Sequence, residues 1–196
     1  MKLFYTILYR HFRAPWDIGA RQELVDLVES GRITPCRAID LGSGTASNVV
    51  FLAQRGFDVI GVDFAPAAIE LGRKRANDAG VKAEFVVDDL TNLKQIKGTF
   101  DFLVDYGVLD DLNPKDRDLY VKNVLPLTQT GSRFLLFCFE WQPRWWERPF
   151  FSSMAMYPGE VRQRFEKHFE IEEIARSVNY SEFPAGVATY LLTRVQ

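Results

Sequence analysis

The stretch AIDLGSGTA, residues 38–46, decides the fold of this chain of 196 residues. It is an apolar strand that ends in an acid, Asp40, and continues into a glycine-rich turn and the start of a helix. Gly42 and Gly44 let the backbone approach a ligand closely, because glycine has no side chain and adopts conformations that other residues avoid. A strand, a glycine turn and a helix in this order are typical of a nucleoside-binding site on a parallel sheet.

A second acid, Asp63, ends the next apolar run, which covers residues 59–62. A carboxylate there can accept hydrogen bonds from both hydroxyls of a ribose. A dinucleotide fingerprint would need a third glycine at position 47, where this chain has Ser47. Asp40 lies where a pyrophosphate would approach, and its carboxylate suits a cationic ligand instead. S-adenosylmethionine carries a sulfonium and an ammonium but no phosphate, so it fits this loop better than NAD.

Strands and helices alternate along the chain, which predicts an α/β fold with a doubly wound, mostly parallel sheet. The predicted strands are 37–41, 58–62, 83–87, 100–105, 132–139, 169–177 and 187–194, and the predicted helices are 1–13, 20–30, 47–55, 66–79, 114–127 and 158–167. Ligands of such sheets bind beyond the carboxyl ends of the strands. Acids recur at those ends, namely Asp40, Asp63, Asp88, Asp89, Asp105 and Glu140. We therefore expect an acidic crevice.

Composition predicts a single domain, residues 1–196, with 47% hydrophobic residues and no internal repeat. The net charge of -2 gives no general attraction to nucleic acid. No apolar run approaches the ~20 residues of a membrane span, and no signal peptide is apparent. Cys36 and Cys138 lie in apolar, strand-like surroundings and are interpreted as reduced thiols. We expect a cytoplasmic protein without nucleic acid, membrane or metal partners, either a monomer or a homodimer.

Residues 38–72 resemble the cofactor-binding half of the class I S-adenosylmethionine-dependent methyltransferases. Asp40 with Gly42 and Gly44 matches the first motif of that family, and Asp63 matches the acid of its second strand. Ala46 stands where the family usually has a third glycine, and we expect tighter packing there rather than lost binding. The resemblance implies a Rossmann-like sheet of seven strands with an antiparallel last strand. It also implies S-adenosylmethionine as cofactor and S-adenosylhomocysteine as product.

The resemblance further implies a role for each residue of the glycine turn and of the second strand end. Gly42, Ser43 and Gly44 are expected along the methionine portion of the cofactor. Asp40 is expected to hold the ammonium, directly or through water. Asp63 is expected to accept from the ribose hydroxyls, and Phe64 to pack on the adenine face.

Two later segments resemble the third and fourth strand motifs of the family. In the first, Asp89 is expected to bind the adenine amino group, and the Leu90 amide is expected to reach a ring nitrogen. Asp88 is expected to be a solvated neighbour. In the second, Asp105 or its carbonyl is expected to face the methionine end.

Aromatic residues suggest where the methyl acceptor binds. The segment 14–19 resembles the entry of the thiopurine and thiol methyltransferase group, in which the tryptophan, here Trp16, helps to close over the cofactor; the alternative is a tryptophan that anchors a loop in the core. Residues 1–30 would form an N-terminal cap that brings Tyr9 to the acceptor. Residues 141–157 are predicted to form an acceptor lid, with a partner-binding patch or a cover for the sheet edge as alternatives. The lid residues expected to contact the acceptor are Trp141, Trp145 and Trp146.

A general base is needed only if the acceptor arrives protonated, because the transfer depends chiefly on positioning. Asp110 and Asp111 stand where many relatives have histidine, so a base here would be a carboxylate or Tyr106. Tyr106 and Asp110 are therefore the candidate catalytic residues. Alternatively, Asp111 or Asn113 caps the helix that begins near Pro114.

The sequence thus predicts methyl transfer to a small, largely apolar acceptor such as a thiol, a heterocyclic amine or a halide. One alternative is a protein methyltransferase. The other is a protein that binds S-adenosylmethionine without catalysis.

Overall fold

A computed structural model describes Tyr9, residues 19–146, residues 156–179, Ser181 and residues 185–195. Within this part of the chain, the strands are β1 (Arg37–Leu41), β2 (Asp58–Asp63), β3 (Glu84–Val87), β4 (Phe100–Tyr106), β5 (Thr128–Phe139), β6 (Phe169–Val178) and β7 (Gly186–Arg194). The helices are α1 (Gln22–Glu29), α2 (Ser47–Gln54), α3 (Pro66–Asp78), α4 (Pro114–Val124) and α5 (Glu160–Phe165), with a 3₁₀ turn at Leu125–Leu127.

The seven strands form one sheet in the order β3-β2-β1-β4-β5-β7-β6. The first five are parallel, and β7 lies antiparallel between β5 and β6. This confirms the predicted α/β fold with an antiparallel last strand. The strand order reverses between β1 and β4, and ligands of open α/β sheets bind at such a reversal.

The central strands β1, β2 and β4 are buried on both faces, as expected for strands that helices cover on either side. Successive side chains of a strand point to opposite faces. Accordingly, Ile39 and Leu103 belong to one apolar cluster and Ala38 and Phe102 to another. This double burial fixes the register of the strands and so fixes which residues reach the carboxyl edge.

Most element bounds differ from the sequence prediction by one or two residues, and three elements need a physical explanation. β5 begins at Thr128 rather than 132, because its pairing with β4 shifts register and the extra residues are accommodated around Gly131, whose φ is 88°. The predicted helix 114–127 ends as an α-helix at Val124, since Pro126 lacks an N–H for helical hydrogen bonding. The predicted helix 158–167 is shorter and covers Glu160–Phe165.

The predicted helix 1–13 lies outside the described residues except for Tyr9. Tyr9 is buried and packs with Phe64, Ala65 and Ala68. Trp16 also lies outside the described residues, as do residues 147–155. Over the described part of the chain, no helix has the length and apolar character needed to cross a membrane. The same residues contain no cluster of His, Cys, Asp or Glu side chains arranged to hold a metal ion.

Candidate functional site

A cavity of about 920 Å³ runs along the carboxyl ends of five neighbouring strands. Its lining follows the strand order, with residues 88–91 after β3, Asp63 and Phe64 at β2, residues 42–45 after β1, residues 106–108 at β4, and Phe137 and Phe139 on β5. Neighbouring strands lie about 4.8 Å apart, so these strand ends span roughly 20 Å. That length accommodates a nucleoside-sized ligand and a second small molecule side by side.

The glycine turn after β1 has little room for side chains. Gly42 has a φ of 77°, and a Cβ there would lie 2.2 Å from Cγ2 of Val108. Gly44 has a φ of 51°, and a Cβ there would lie 2.9 Å from the hydroxyl of Tyr9. Glycine is therefore required at both positions by backbone conformation and by space. Tyr9, predicted to contact the acceptor, lies against the glycine turn in this structure.

Ala46 adopts a left-handed conformation, with a φ of 67°, directly before α2. It is fully buried, and its amide donates to the Ser43 carbonyl over 2.8 Å. A Cβ built on Gly72 of α3 would lie 3.0 Å from the Ala46 methyl group. The methyl group thus packs closely against a glycine of the next helix, which agrees with the tight packing expected at this position.

Asp63 is buried at the end of β2 and lines the cavity. Its carboxylate accepts from the amides of Gly44, over 3.0 Å, and Ala65, over 2.8 Å. Burial raises the pKa of Asp63 to about 6 despite these hydrogen bonds. Each carboxylate oxygen has a second lone pair, so Asp63 can accept from two further donors.

The two acids after β3 have different environments. Asp88 is buried, and its carboxylate accepts from the amides of Gln95, Lys94 and Asp89 over 2.7–2.9 Å. Burial opposes ionisation of Asp88, but these hydrogen bonds lower its pKa below the ordinary value. The expectation of a solvated Asp88 is therefore wrong, since this residue fixes the loop that follows it. Asp89 lies beside Leu90 on the cavity wall and accepts from Thr91.

Asp40 does not line the cavity among the described residues, and only 2% of its surface is exposed. Burial, together with the charges of Asp105 and Asp63, raises its pKa to about 7, although a hydrogen bond from Asn48 opposes the shift. Asn48 does line the cavity. The role expected of Asp40, to hold the ammonium directly or through water, stays a prediction.

Asp105 and Glu140 also lie behind the cavity wall rather than on it. Asp105 accepts from the amide of Val108 over 2.8 Å and from the hydroxyl of Tyr120 over 2.5 Å. Glu140 accepts from the hydroxyl of Tyr190 over 2.7 Å. Of the acids at the strand ends, Asp63, Asp88 and Asp89 therefore line the cavity, whereas the others lie behind its wall. Asp111 and Asp116 also line it, so the crevice is acidic as expected.

Tyr106 lies on the cavity wall at the end of β4. Its ring stacks on Phe137, with centroids 4.2 Å apart and planes 7° apart, and the guanidinium of Arg21 lies 4.5 Å from its centroid. Its hydroxyl donates to Oε2 of Glu23 over 2.6 Å. Burial and the hydrogen bond to Glu23 raise the pKa of Tyr106 well above its usual value, so its phenolate is not formed near neutral pH.

Asp110, the other candidate catalytic residue, is 1% exposed and does not line the cavity. Burial, with the charges of Asp105 and Asp111, raises its pKa well above the ordinary value. Because a general base must be ionised and must reach its substrate, the position of Asp110 does not support that role. Asn113 caps α4, since its side chain accepts from the amides of Lys115 and Asp116. The capping alternative is thus correct for Asn113.

Phe137 and Phe139 form the far end of the cavity, with their rings 5.5 Å apart and nearly perpendicular. Both lie in the predicted strand 132–139, and neither was among the residues expected to contact the acceptor. Their spacing of two at the carboxyl end of β5 is the signal that was missed, because alternate residues of a strand share a face. Arg21 and Asn48 were missed as well, and no motif marks them.

The tryptophans of the predicted lid do not reach the cavity in the described structure. Trp141 is buried and packs with Ala185 and Phe139. Trp145 and Trp146 are 75% and 51% exposed and contact each other edge to face. Residues 147–155 of the lid lie outside the described residues, so the lid stays a prediction.

A family model described as "Methyltransferase domain" matches residues 38–131, which contain the glycine turn, Asp63 and Asp89. Residues 38–131 form a methyltransferase domain of the class I S-adenosylmethionine-dependent type. The family and its cofactor are those predicted from the sequence. The residues present fit this cofactor, because Asp63 lines the cavity and its carboxylate, which accepts from two backbone amides, keeps lone pairs for further donors.

Several relatives of this methyltransferase family act on small molecules, according to their names. The 2-heptyl-1-hydroxyquinolin-4(1H)-one methyltransferase of Mycobacteroides abscessus is 29% identical over 130 residues, which are 65% of this chain and 57% of that protein. Probable thiol methyltransferase 2 of Arabidopsis thaliana is 26% identical over 146 residues, which are 73% of this chain and 64% of that protein. This chain thus spans less than two thirds of either relative.

Among solved structures, the 1,6-didemethyltoxoflavin-N1-methyltransferase of Burkholderia thailandensis, with 1,6-didemethyltoxoflavin and S-adenosylhomocysteine bound, matches with a TM-score of 0.72. The match covers 100% of this chain and 87% of that chain at 17% identity. At this identity the likeness establishes the shared methyltransferase fold.

Proposed function

We propose that this chain transfers a methyl group from S-adenosylmethionine to a small, planar, largely apolar acceptor. One observation carries the proposal: a single cavity joins a polar end, with Asp63 and Asp89, to an aromatic end, with Tyr106, Phe137 and Phe139. A nucleoside cofactor suits the first end and a flat acceptor suits the second. The quinolone and toxoflavin precursor in the names of two methyltransferases of this fold support the acceptor class.

At the polar end, the residues present fit the cofactor in the order of the strands. Asp63 would accept from the ribose hydroxyls, Asp89 and the Leu90 amide would bind adenine, and Phe64 would pack on the ring. The turn 42–44 would follow the methionine portion. When bound, S-adenosylmethionine supplies a methyl group that its positive sulfur activates for in-line displacement.

At the aromatic end, the work of the protein is to orient the acceptor and to exclude water. The ring of Phe139 meets that of Phe137 nearly at right angles, so the two phenyl groups form a corner rather than a flat wall. Such a corner can hold the face and the edge of a planar ligand at once. Orientation of two reactants can contribute roughly 7–11 kcal/mol to the lowering of a barrier. Positioning by these rings can therefore supply much of the catalysis.

The test is release of S-adenosylhomocysteine from S-adenosylmethionine with panels of thiols, heterocyclic amines, phenols and halides. We expect release with at least one planar aromatic member. Asp63→Asn should reduce it, and Asp58→Asn, at the exposed opposite end of β2, should not. Cofactor binding without release from any panel would support the non-catalytic alternative. Release only with a protein acceptor would support the protein methyltransferase alternative.

A further inference from the structure

The hydroxyl of Tyr106 donates its hydrogen to Glu23, so it can only accept a hydrogen bond from a ligand. It lies 2.6 Å from Oε2 of Glu23, and an ionised carboxylate has only acceptor atoms. The phenolic hydrogen is therefore committed to Glu23, and the oxygen of Tyr106 has only its lone pairs left for a ligand.

The rest of the Tyr106 side chain is covered. Phe137 stacks on one face of the ring and the guanidinium of Arg21 lies over the other. Glu23 is held in turn, because the hydroxyl of Thr189 lies 3.5 Å from its second oxygen. A ligand in the cavity therefore meets Tyr106 at its oxygen or ring edge rather than at its faces.

Tyr106 also lies at the position where cofactor and acceptor should meet. It ends β4, whose neighbours are β1 with the glycine turn on one side and β5 with the aromatic corner on the other. In the ladder between β4 and β5 it is paired with Phe137. A group that is transferred from the polar end to the aromatic end must pass this strand end.

We propose that Tyr106 and Glu23 form a proton-accepting pair that selects acceptors with an N–H or O–H group and removes that proton during transfer. The inference rests on the proposed function. It adds that the acceptor carries its reacting atom as a hydrogen-bond donor, an N–H or O–H group. Glu23 acts through Tyr106 and is a positioning residue, whereas Tyr106 touches the acceptor. The methylated product of a phenol has lost its donor, so the same pair favours substrate over product.

Protons and electrons balance in the proposed step. A lone pair of the acceptor's oxygen or nitrogen forms the new bond to carbon, and the sulfur–carbon bond breaks with its electron pair left on sulfur. The acceptor's proton moves to the oxygen of Tyr106, and the proton of Tyr106 moves to Oε2 of Glu23. A carboxylate is a sufficient final base, because the acceptor becomes strongly acidic as the new bond forms.

Binding to the protein saturated with S-adenosylhomocysteine tests the selection without turnover. The ligands are naphthol, which donates a hydrogen bond, and methoxynaphthalene, which does not. We expect naphthol to bind roughly 3- to 10-fold more tightly than the ether. Tyr106→Phe should bring this ratio to about one, while Thr130→Val, which removes an exposed hydroxyl near the start of β5, should leave it unchanged. An equal affinity for both ligands in the unaltered protein, or a ratio that survives Tyr106→Phe, would overturn the selection.

Turnover tests the proton transfer at about pH 8, where naphthol keeps its proton and naphthalenethiol is ionised. Glu23→Gln keeps an amide oxygen to accept from Tyr106 but cannot take a proton. We expect it to lower kcat for naphthol by roughly 100-fold and to leave kcat for the thiol within about twofold. Glu29→Gln, exposed on the same helix, is the matched control and should change neither.

The possible outcomes separate this inference from the proposed function. Equal losses on both acceptors, or no loss on naphthol, would overturn the proton transfer. If the unaltered protein releases no S-adenosylhomocysteine with any acceptor of the panels, the proposed function fails and the proton transfer fails with it. In that case the ratio of the affinities for naphthol and methoxynaphthalene still tests whether Tyr106 selects ligands that donate a hydrogen bond.

Discussion

Asp40 illustrates how burial of a motif acid makes the stability of the fold depend on pH. Its pKa of about 7 in the folded state lies above the ordinary aspartate value of about 3.9. A raised pKa stabilises the folded state fully below the ordinary value, and this stabilisation is lost as pH rises through the folded value. Ionisation of Asp40 therefore destabilises the fold between about pH 4 and pH 7.

Replacement of Asp40 by asparagine should remove this pH dependence, since the amide carries no charge and keeps an oxygen for Asn48. We expect the free energy of unfolding of Asp40→Asn to increase relative to that of the unaltered protein as pH rises from 5 to 8. Denaturant titrations at several pH values measure both. Parallel pH profiles for the two proteins would contradict the assigned pKa.

Ala46 offers a second test at the level of a residue. A left-handed alanine costs about 1 kcal/mol, and removal of its buried methyl group costs about the same. Ala46→Gly should therefore change the free energy of unfolding by less than about 1 kcal/mol. Ala46→Val should lower it by more than about 2 kcal/mol, because the larger side chain would collide with α3 at Gly72. Similar stabilities for the two variants would contradict the close packing.

Residue roles were predictable from sequence only where a motif fixes the backbone. The glycine turn and Asp63 were placed correctly on the cavity wall because strand order and turn chemistry determine them. Asp110 was misplaced, since sequence does not show that its side chain turns into the core. Phe137 was missed, because an aromatic residue in an apolar strand has the same pattern whether it faces the core or a cavity.

At the scale of the elements, α4 depends on its N-cap. Asn113 accepts from two backbone amides at the helix start. Asn113→Ala should lower the free energy of unfolding by about 1 kcal/mol, and Tm by roughly 2–4 °C. Asn77→Ala, at an exposed position within α3, is the control and should not destabilise the protein. An unchanged Tm in Asn113→Ala would show that the cap contributes nothing.

The end of β5 is expected to form the acceptor subsite. Phe137→Ala removes the ring that stacks on Tyr106. We expect the KM for a planar acceptor to rise by about 10-fold while the Kd for S-adenosylhomocysteine changes by less than about twofold. A double change of Trp145 and Trp146 to alanine, measured in the same assay, tests the lid. A rise in the cofactor Kd equal to the rise in KM would contradict a separate acceptor subsite.

At the scale of the whole molecule, alternation of strands and helices was enough to predict the sheet and its parallel strands. Acids and glycines at their ends made the bounds of β1 and β2 predictable. The start of β5 was not predictable, because it depends on a register shift that no residue pattern indicates. The lid after β5 was beyond sequence reasoning for a related reason. Its tryptophans are equally compatible with a pocket, a partner surface and an exposed pair.

The central claim is that the carboxyl edge formed by β3, β2 and β1 binds the nucleoside of S-adenosylmethionine through Asp63. The measurement is the Kd for S-adenosylhomocysteine by calorimetry for the unaltered protein, Asp63→Asn and Asp58→Asn. Loss of a buried, charge-assisted pair of hydrogen bonds costs about 2–3 kcal/mol. We expect a Kd about 30- to 150-fold weaker for Asp63→Asn and unchanged for Asp58→Asn. An Asp63→Asn protein that is folded and binds as tightly as the unaltered protein would contradict it.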